Sequence, residues 1–174
     1  DPLDVTQQEI DAIKYSKEFL AAHEFMMLGR ENDAKQQWWH ALRQLDKSDY
    51  PAAAKLAQQW RWDEVAIFTI AKVKYWDDVE LRFPMSYSDK IHENAALQNL
   101  NPVILYGLIR RESAFNKDAR SPSGARGLMQ IMPKTVSGVC RDHHLPEPSL
   151  RALYQPAVSV TLGAWHLKDI RDRL

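Results

Sequence analysis

Glycine and tryptophan are divided unevenly along this chain of 174 residues, and the division separates two ways of building helices. Gly29 is the only glycine before Gly107, whereas Trp38, Trp39, Trp60, Trp62 and Trp76 all lie in the first half. Thr6 followed by Glu9 has the form of a capping box, and Ile10, Ile13 and Leu20 then recur at helical spacing, which predicts one helix running to a stop at Leu28-Gly29. Asn32 or Asp33 caps a second helix with Ala34, Trp38, Leu42 and Leu45 on one face. Asp49-Tyr50-Pro51 opens a third through Leu56 and Trp60, and Trp62-Asp63 a fourth. Short turns, small alanines and large tryptophans at this spacing predict a helix-pair solenoid, irregular and TPR-like. A last short helix spans Trp76 to Phe83 and is broken by Pro84, which places a domain boundary there: residues 1–83 and 84–174.

Beyond the boundary, Tyr87 to Leu97 reads as a helix, and Asn101-Pro102 opens another that runs to about Phe115. Residues 121–127 are a loop by composition, and further helices begin near Pro133 and at Pro156, the last reaching Leu174. The chain is all-α by this reading. No stop signal follows Leu174, so a chain cut within a domain is expected.

Composition limits the partners. Lys+Arg and Asp+Glu number 23 each, and a net charge of zero argues against a polyanion such as nucleic acid. The longest apolar run, Pro102 to Ile109, is far short of the roughly 20 residues that span a bilayer, so no transmembrane helix is expected. Asp1-Pro2-Leu3-Asp4 has no signal-peptide character, which fits a cytosolic protein and a processed mature chain equally. Cys140 is the single cysteine, excluding an internal disulfide and a thiolate metal cluster; it reads as a buried small residue. Asp142, His143 and His144 are adjacent and lack helical ligand spacing, and His92-Glu93 has no second histidine, so no metal or cofactor is expected and the histidines read as scattered surface residues.

Glu112 is the residue that stands out. Counted along a helix from Pro102, it shares a face with Ile104, Leu105, Leu108 and Ile109, and its neighbours one turn away are Leu108, Ile109, Phe115 and Asn116. A carboxyl in such an apolar setting, with no cation one turn away on its own helix, is expected to titrate high, near ~6, and to serve as a general acid. The alternative is a helix-end glutamate bonded to a nearby amide or to an arginine from elsewhere.

Arg111-Glu112-Ser113-Ala114-Phe115-Asn116, followed by Ser121-Pro122-Ser123-Gly124-Ala125-Arg126-Gly127-Leu128-Met129-Gln130-Ile131-Met132-Pro133, closely resembles the active-site signature of soluble lytic transglycosylases. Leu81-Arg82-Phe83-Pro84 with Tyr87 resembles that family's junction between a helical superhelix and a lysozyme-like domain. The resemblance implies a solenoid fragment followed by part of a goose-lysozyme-like catalytic domain, acting in the periplasm on peptidoglycan glycan strands. It implies Glu112 as catalytic acid and base, with Ser113, Ser121, Gln130 and Met132 at positions lining the glycan cleft. It implies no cofactor, and leaves protein partners to the superhelix. Each lining residue also has a plain structural reading: Ser121 opens a turn, Gln130 ties down the loop, Met132 fills a core, and Gly124 and Gly127 serve turn geometry. One carboxylate suffices where the substrate's own acetamido group replaces the second, which gives a 1,6-anhydro product; Asp118 remains a second carboxylate that could reach the cleft. A lysozyme-type hydrolase and a helical protein-interaction module are the alternatives. The family's later Ala-Tyr-Asn-Ala-Gly motif is not found in these residues, and Gln155 in Leu153-Tyr154-Gln155-Pro156 stands where the family usually has an acid. A partial protein is therefore expected, with more superhelix before Asp1 and more catalytic domain after Leu174.

Overall fold

The computed structural model describes residues 3–174. Among them are ten α-helices and two short 3-10 turns, with no strand. Contacts divide the chain into two compact units, the division falling between Pro84 and Met85.

The first unit holds α1 (Gln7–Lys14), α2 (Lys17–Met27), α3 (Glu31–Leu42), α4 (Tyr50–Gln59), α5 (Asp63–Ala71) and α6 (Val79–Arg82). The capping box of α1 forms as expected: the Glu9 amide donates to the Thr6 hydroxyl, and the Thr6 amide to the Glu9 carboxylate. The single helix expected up to Leu28 is instead two, because Ser16 takes an extended conformation between them. Gly29, at φ +70°, then closes α2, with its own amide donating to Met26 and that of Arg30 to Phe25. α3 starts earlier than its expected Asn32 or Asp33 cap: Arg30 is the capping position, and its guanidinium pairs with Asp33 inside the first turn. Glu31 and Asp33 there favour the positive end of the helix. The helix expected over Trp76–Phe83 is shortened to α6, since Asp78 caps it by accepting from the Leu81 amide at 2.9 Å.

α2 packs on α3, α4 on α5 and α1 on α4, a stack of helix pairs. Trp38 is its centre, fully buried, with its ring against Phe19 at 4.8 Å, Trp62 at 5.7 Å and Trp60 at 5.8 Å. Its indole N–H donates to the buried Thr69 hydroxyl at 3.1 Å, which satisfies the one polar atom such a ring carries inward. Buried Ala22, Ala34, Ala53, Ala54, Ala57 and Ala66 let the helix axes approach around it.

The second unit holds α7 (Ser88–Leu97), α8 (Pro102–Glu112), α9 (Pro133–Asp142) and α10 (Pro156–Arg171). Asn101 caps α8 through the Val103 amide at 2.9 Å, with Pro102 in the first turn. α8 ends at Glu112, short of the expected Phe115: Ala114 and Phe115 both lie in the left-handed region, at φ +49° and +66°, and turn the chain so that both side chains are buried. α10 packs against α7 and α9. Residues 113–132 link α8 to α9 without a helix, and Gly127 is their tightest point. It lies at φ +75°, and a Cβ there would stand 2.1 Å from the Leu153 carbonyl oxygen.

Two outcomes test these packing arguments. Asp78 is buried and accepts from the Leu3 amide at 3.2 Å, the Leu81 amide and the Lys55 ammonium at 2.6 Å. Burial alone would push its carboxyl up, but Lys55 and the two amides together hold it below the usual carboxylate range. A folded-state value lower than the unfolded one contributes stability above about pH 4, which is lost as the pH falls through the folded value. Asp78→Ala is expected to cost about 3 kcal/mol in urea unfolding at pH 7, and less at each step below pH ~4. Gly127→Ala meets backbone and a left-handed φ together, and is expected to destabilise the second unit by about 3 kcal/mol in the same assay.

Candidate active site

Glu112 is the last residue of α8, and the structure corrects the surroundings read from its spacing. Leu105 and Ile109 are fully buried, but Ile104 is 51 % exposed, Leu108 half-buried, and Glu112 itself exposed. The buried row of α8 passes through Leu105, Ile109 and Ser113, while Glu112 stands one row over, in line with Ile104 and Leu108. Those residues therefore do not enclose the carboxylate. Nor does the helix-end alternative hold among the described residues, where no amide or arginine bonds it. The result is an open carboxylate beside an open apolar ridge.

Ser113 caps the C-terminus of α8; it is 8 % exposed and its hydroxyl donates to the Ile109 carbonyl at 3.1 Å. Its proton is committed to the last turn of α8. Asn116 accepts the Asp118 amide at 2.9 Å, and the Asp118 carboxylate pairs with Lys117 at 2.7 Å on the surface. The second carboxylate that the sequence left open is thus engaged with its neighbour.

The loop that follows builds itself from its own polar groups. The Ala125 amide donates to the Ser121 hydroxyl at 3.0 Å, the Ser121 amide to the Ala125 carbonyl at 3.0 Å, and Arg126 pairs in antiparallel fashion with Arg120 and with Ile131. The Gln130 side-chain nitrogen donates to the carbonyls of Ala119 and Gly127, both at 2.9 Å, and its backbone lies at φ +47°. Both amide hydrogens are spent inside the loop, so Gln130 has only its side-chain oxygen to offer a ligand, as an acceptor. Met132 follows as the residue capping α9 and is 38 % exposed, not a core filler. This turn brings Gln130 to Gly127, while Ser121 is held by Ala125, and Ser113 is not among them.

Spacing missed the residues that hold the loop from outside. Ser159 on α10 is 1 % exposed and its hydroxyl accepts the Met129 amide at 3.1 Å. Gly163, one turn on, lies under the Met129 side chain, and the Arg126 guanidinium stands 5.8 Å from the centre of the Tyr154 ring. The only local signal was a small polar residue in the apolar stretch of α10.

Among the described residues, no group of three His, Cys, Asp or Glu could hold a metal ion. His143 is not a loose surface histidine: it bonds Asp169 at 2.8 Å and stacks on Trp165 at 4.1 Å, tying α9 to α10. Cys140 is buried as expected; burial, with the Glu147 charge, pushes its thiol up and keeps it protonated.

Comparison with known proteins places both units. The family model for the soluble lytic murein transglycosylase L domain matches residues 12–79, and that for the transglycosylase SLT domain matches residues 89–174. A Haemophilus influenzae protein assigned as a soluble lytic murein transglycosylase is 32 % identical over 99 % of this chain, and the soluble lytic murein transglycosylase of Escherichia coli K12 is 27 % identical over 97 %. The chain spans 29 % and 26 % of those two relatives. The solved lytic transglycosylase Slt of Pseudomonas aeruginosa superposes with a TM-score of 0.94 at 32 % identity, over 99 % of this chain and 28 % of its own. The 70 kDa enzyme of Escherichia coli does so at 0.88 and 25 %, with the same coverage of each chain. The helix-pair stack and the lysozyme-like helical unit, matched in sequence and in structure, belong to the soluble lytic transglycosylase family.

Proposed function

We propose that the intact protein cleaves peptidoglycan glycan strands between N-acetylmuramic acid and N-acetylglucosamine, forming 1,6-anhydro-N-acetylmuramic acid. The observation that carries this reading is Glu112: an open carboxylate with no cation partner among the described residues, ending α8 beside an exposed apolar ridge, within the segment matched as a transglycosylase domain. The solved Pseudomonas aeruginosa relative is an inactive glutamate-to-glutamine mutant, which is consistent with a site dependent on a glutamate, and a 70 kDa soluble lytic transglycosylase has been solved in complex with bulgecin A. On this reading residues 1–83 are a superhelix segment, residues 84–174 the first part of a lysozyme-like catalytic domain, and the protein works in the periplasm.

The chemistry needs one carboxyl group in two protonation states. Protonated Glu112 gives its proton to the bridging oxygen as the bond to the anomeric carbon breaks, and the muramic acid N-acetyl oxygen bonds to that carbon, forming an oxazolinium-like intermediate. The Glu112 carboxylate then takes the proton of the C6 hydroxyl, whose oxygen displaces the acetamido oxygen and closes the 1,6-anhydro ring. No water enters the product. A pyranose lying on the Ile104 and Leu108 ridge would exclude solvent from the carboxylate, Met132 offers a further apolar wall, and the Gln130 oxygen accepts from a sugar hydroxyl or amide. Ser121 shapes the loop, and Ser113 holds the final turn of α8 on which Glu112 sits.

Glu112→Gln in the intact protein is expected to lower glycan cleavage at least about a thousandfold with an unchanged melting curve, since the residue is exposed and the amide cannot donate a catalytic proton. Mass spectrometry of a peptidoglycan digest is expected to show muropeptides one water lighter than hydrolysis products. A digest dominated by free reducing ends identifies a lysozyme-type hydrolase instead.

A further inference from the structure

We infer that Ser159, on α10 and distant in sequence from the signature around Glu112, is a positioning residue that sets the glycan affinity of the site through Gln130. The inference rests on the glycan-cleaving reading above.

Three contacts converge on residues 127–130. The hydroxyl of buried Ser159 accepts the Met129 amide at 3.1 Å. The Leu153 carbonyl presses against Gly127, and a Cβ on that glycine would also lie 3.0 Å from the Ser159 oxygen. Gly163 accommodates the Met129 side chain, for a Cβ there would fall 2.6 Å from its Cγ. Met129 is therefore gripped at its backbone by one turn of α10 and at its side chain by the next. Gln130 follows directly, in a left-handed conformation that a non-glycine residue adopts only when its surroundings impose it. Its amide hydrogens reach Ala119 and Gly127 from that conformation, and its oxygen is the atom left for the sugar. Releasing the Met129 amide frees the backbone immediately before Gln130 and lets that oxygen wander. A misplacement of about 1 Å is enough to be felt in binding and catalysis.

This role predicts a specific kinetic signature. A purely structural serine, when lost, leaves fewer folded molecules, so apparent kcat falls and KM stays. A serine that positions a binding group raises KM. The test compares Ser159→Ala, Val160→Ala and Gln130→Ala in the intact protein on soluble glycan oligomers. Val160 is the neighbouring, fully buried residue of α10, and its truncation provides a loss of stability without touching Met129. Ser159→Ala is expected to raise KM about tenfold with kcat changed less than about threefold, Val160→Ala to leave KM unchanged, and the Ser159→Ala effect to vanish in a Gln130→Ala background. Amide exchange at Met129, relative to amides inside α7, is expected to accelerate in Ser159→Ala alone.

A wild-type KM in Ser159→Ala overturns the inference, as do penalties of Ser159→Ala and Gln130→Ala that simply add. If the wild-type protein cleaves no glycan, the reading of function fails by itself. The Met129 exchange rate then decides the grip: unchanged exchange in Ser159→Ala disproves it, and faster exchange upholds it.

Discussion

Residues 113–132 carry the second unit's most distinctive constraint: a connection this long, without helix or strand of its own, must still find partners for its backbone groups. It does so with side chains. Gln130 closes one end by giving both amide hydrogens to carbonyls, Ser121 closes the other by accepting an amide, and Ser159 reaches in from α10. The same economy restricts the chemistry available. A glutamine whose nitrogen is spent offers a ligand an acceptor only, and a serine whose proton goes to Ile109 is no longer a sugar donor. In this loop the structural and the functional readings of a residue are therefore not rivals; the first determines what form the second can take.

The first unit is held by different means. Its centre is a tryptophan surrounded by rings and alanines, where shape does most of the selecting, and among its described residues the buried carboxylate is Asp78. That carboxylate draws together Leu3 from the start of the described chain, Lys55 from α4 and Leu81 from α6. A buried charge with three donors specifies one arrangement of those segments, whereas an apolar contact of the same area would tolerate several.

Glu112 shows where periodicity runs out. Two apolar rows lie side by side on α8, one through Ile104 and Leu108 and the other through Leu105 and Ile109, and both satisfy helical spacing toward residues 112 and 113. Tertiary packing, in which α8 lies against α7, decides which row is covered. The covered row ends at Ser113 and the open one at Glu112, so the carboxyl that spacing had placed among apolar side chains stands in a different environment. Helix ends failed for a related reason. The short α6 and the early stop of α8 each go with a side chain that caps or turns inward, Asp78 and buried Phe115.

By itself the sequence determined what is local: helices from apolar spacing, the Thr6 and Asn101 caps, the Gly29 stop, and the ordered signature from Glu112 to Pro133 that marked the family. Those features depend on residues within a turn or two of one another, where stereochemistry leaves few alternatives. Tertiary structure alone decided which face of α8 is open, that Leu153 closes on Gly127, and that Ser159 grips Met129 from 30 positions away. Such contacts form because distant segments compete to bury the same surface and satisfy the same amides, and no spacing rule records the winner of that competition.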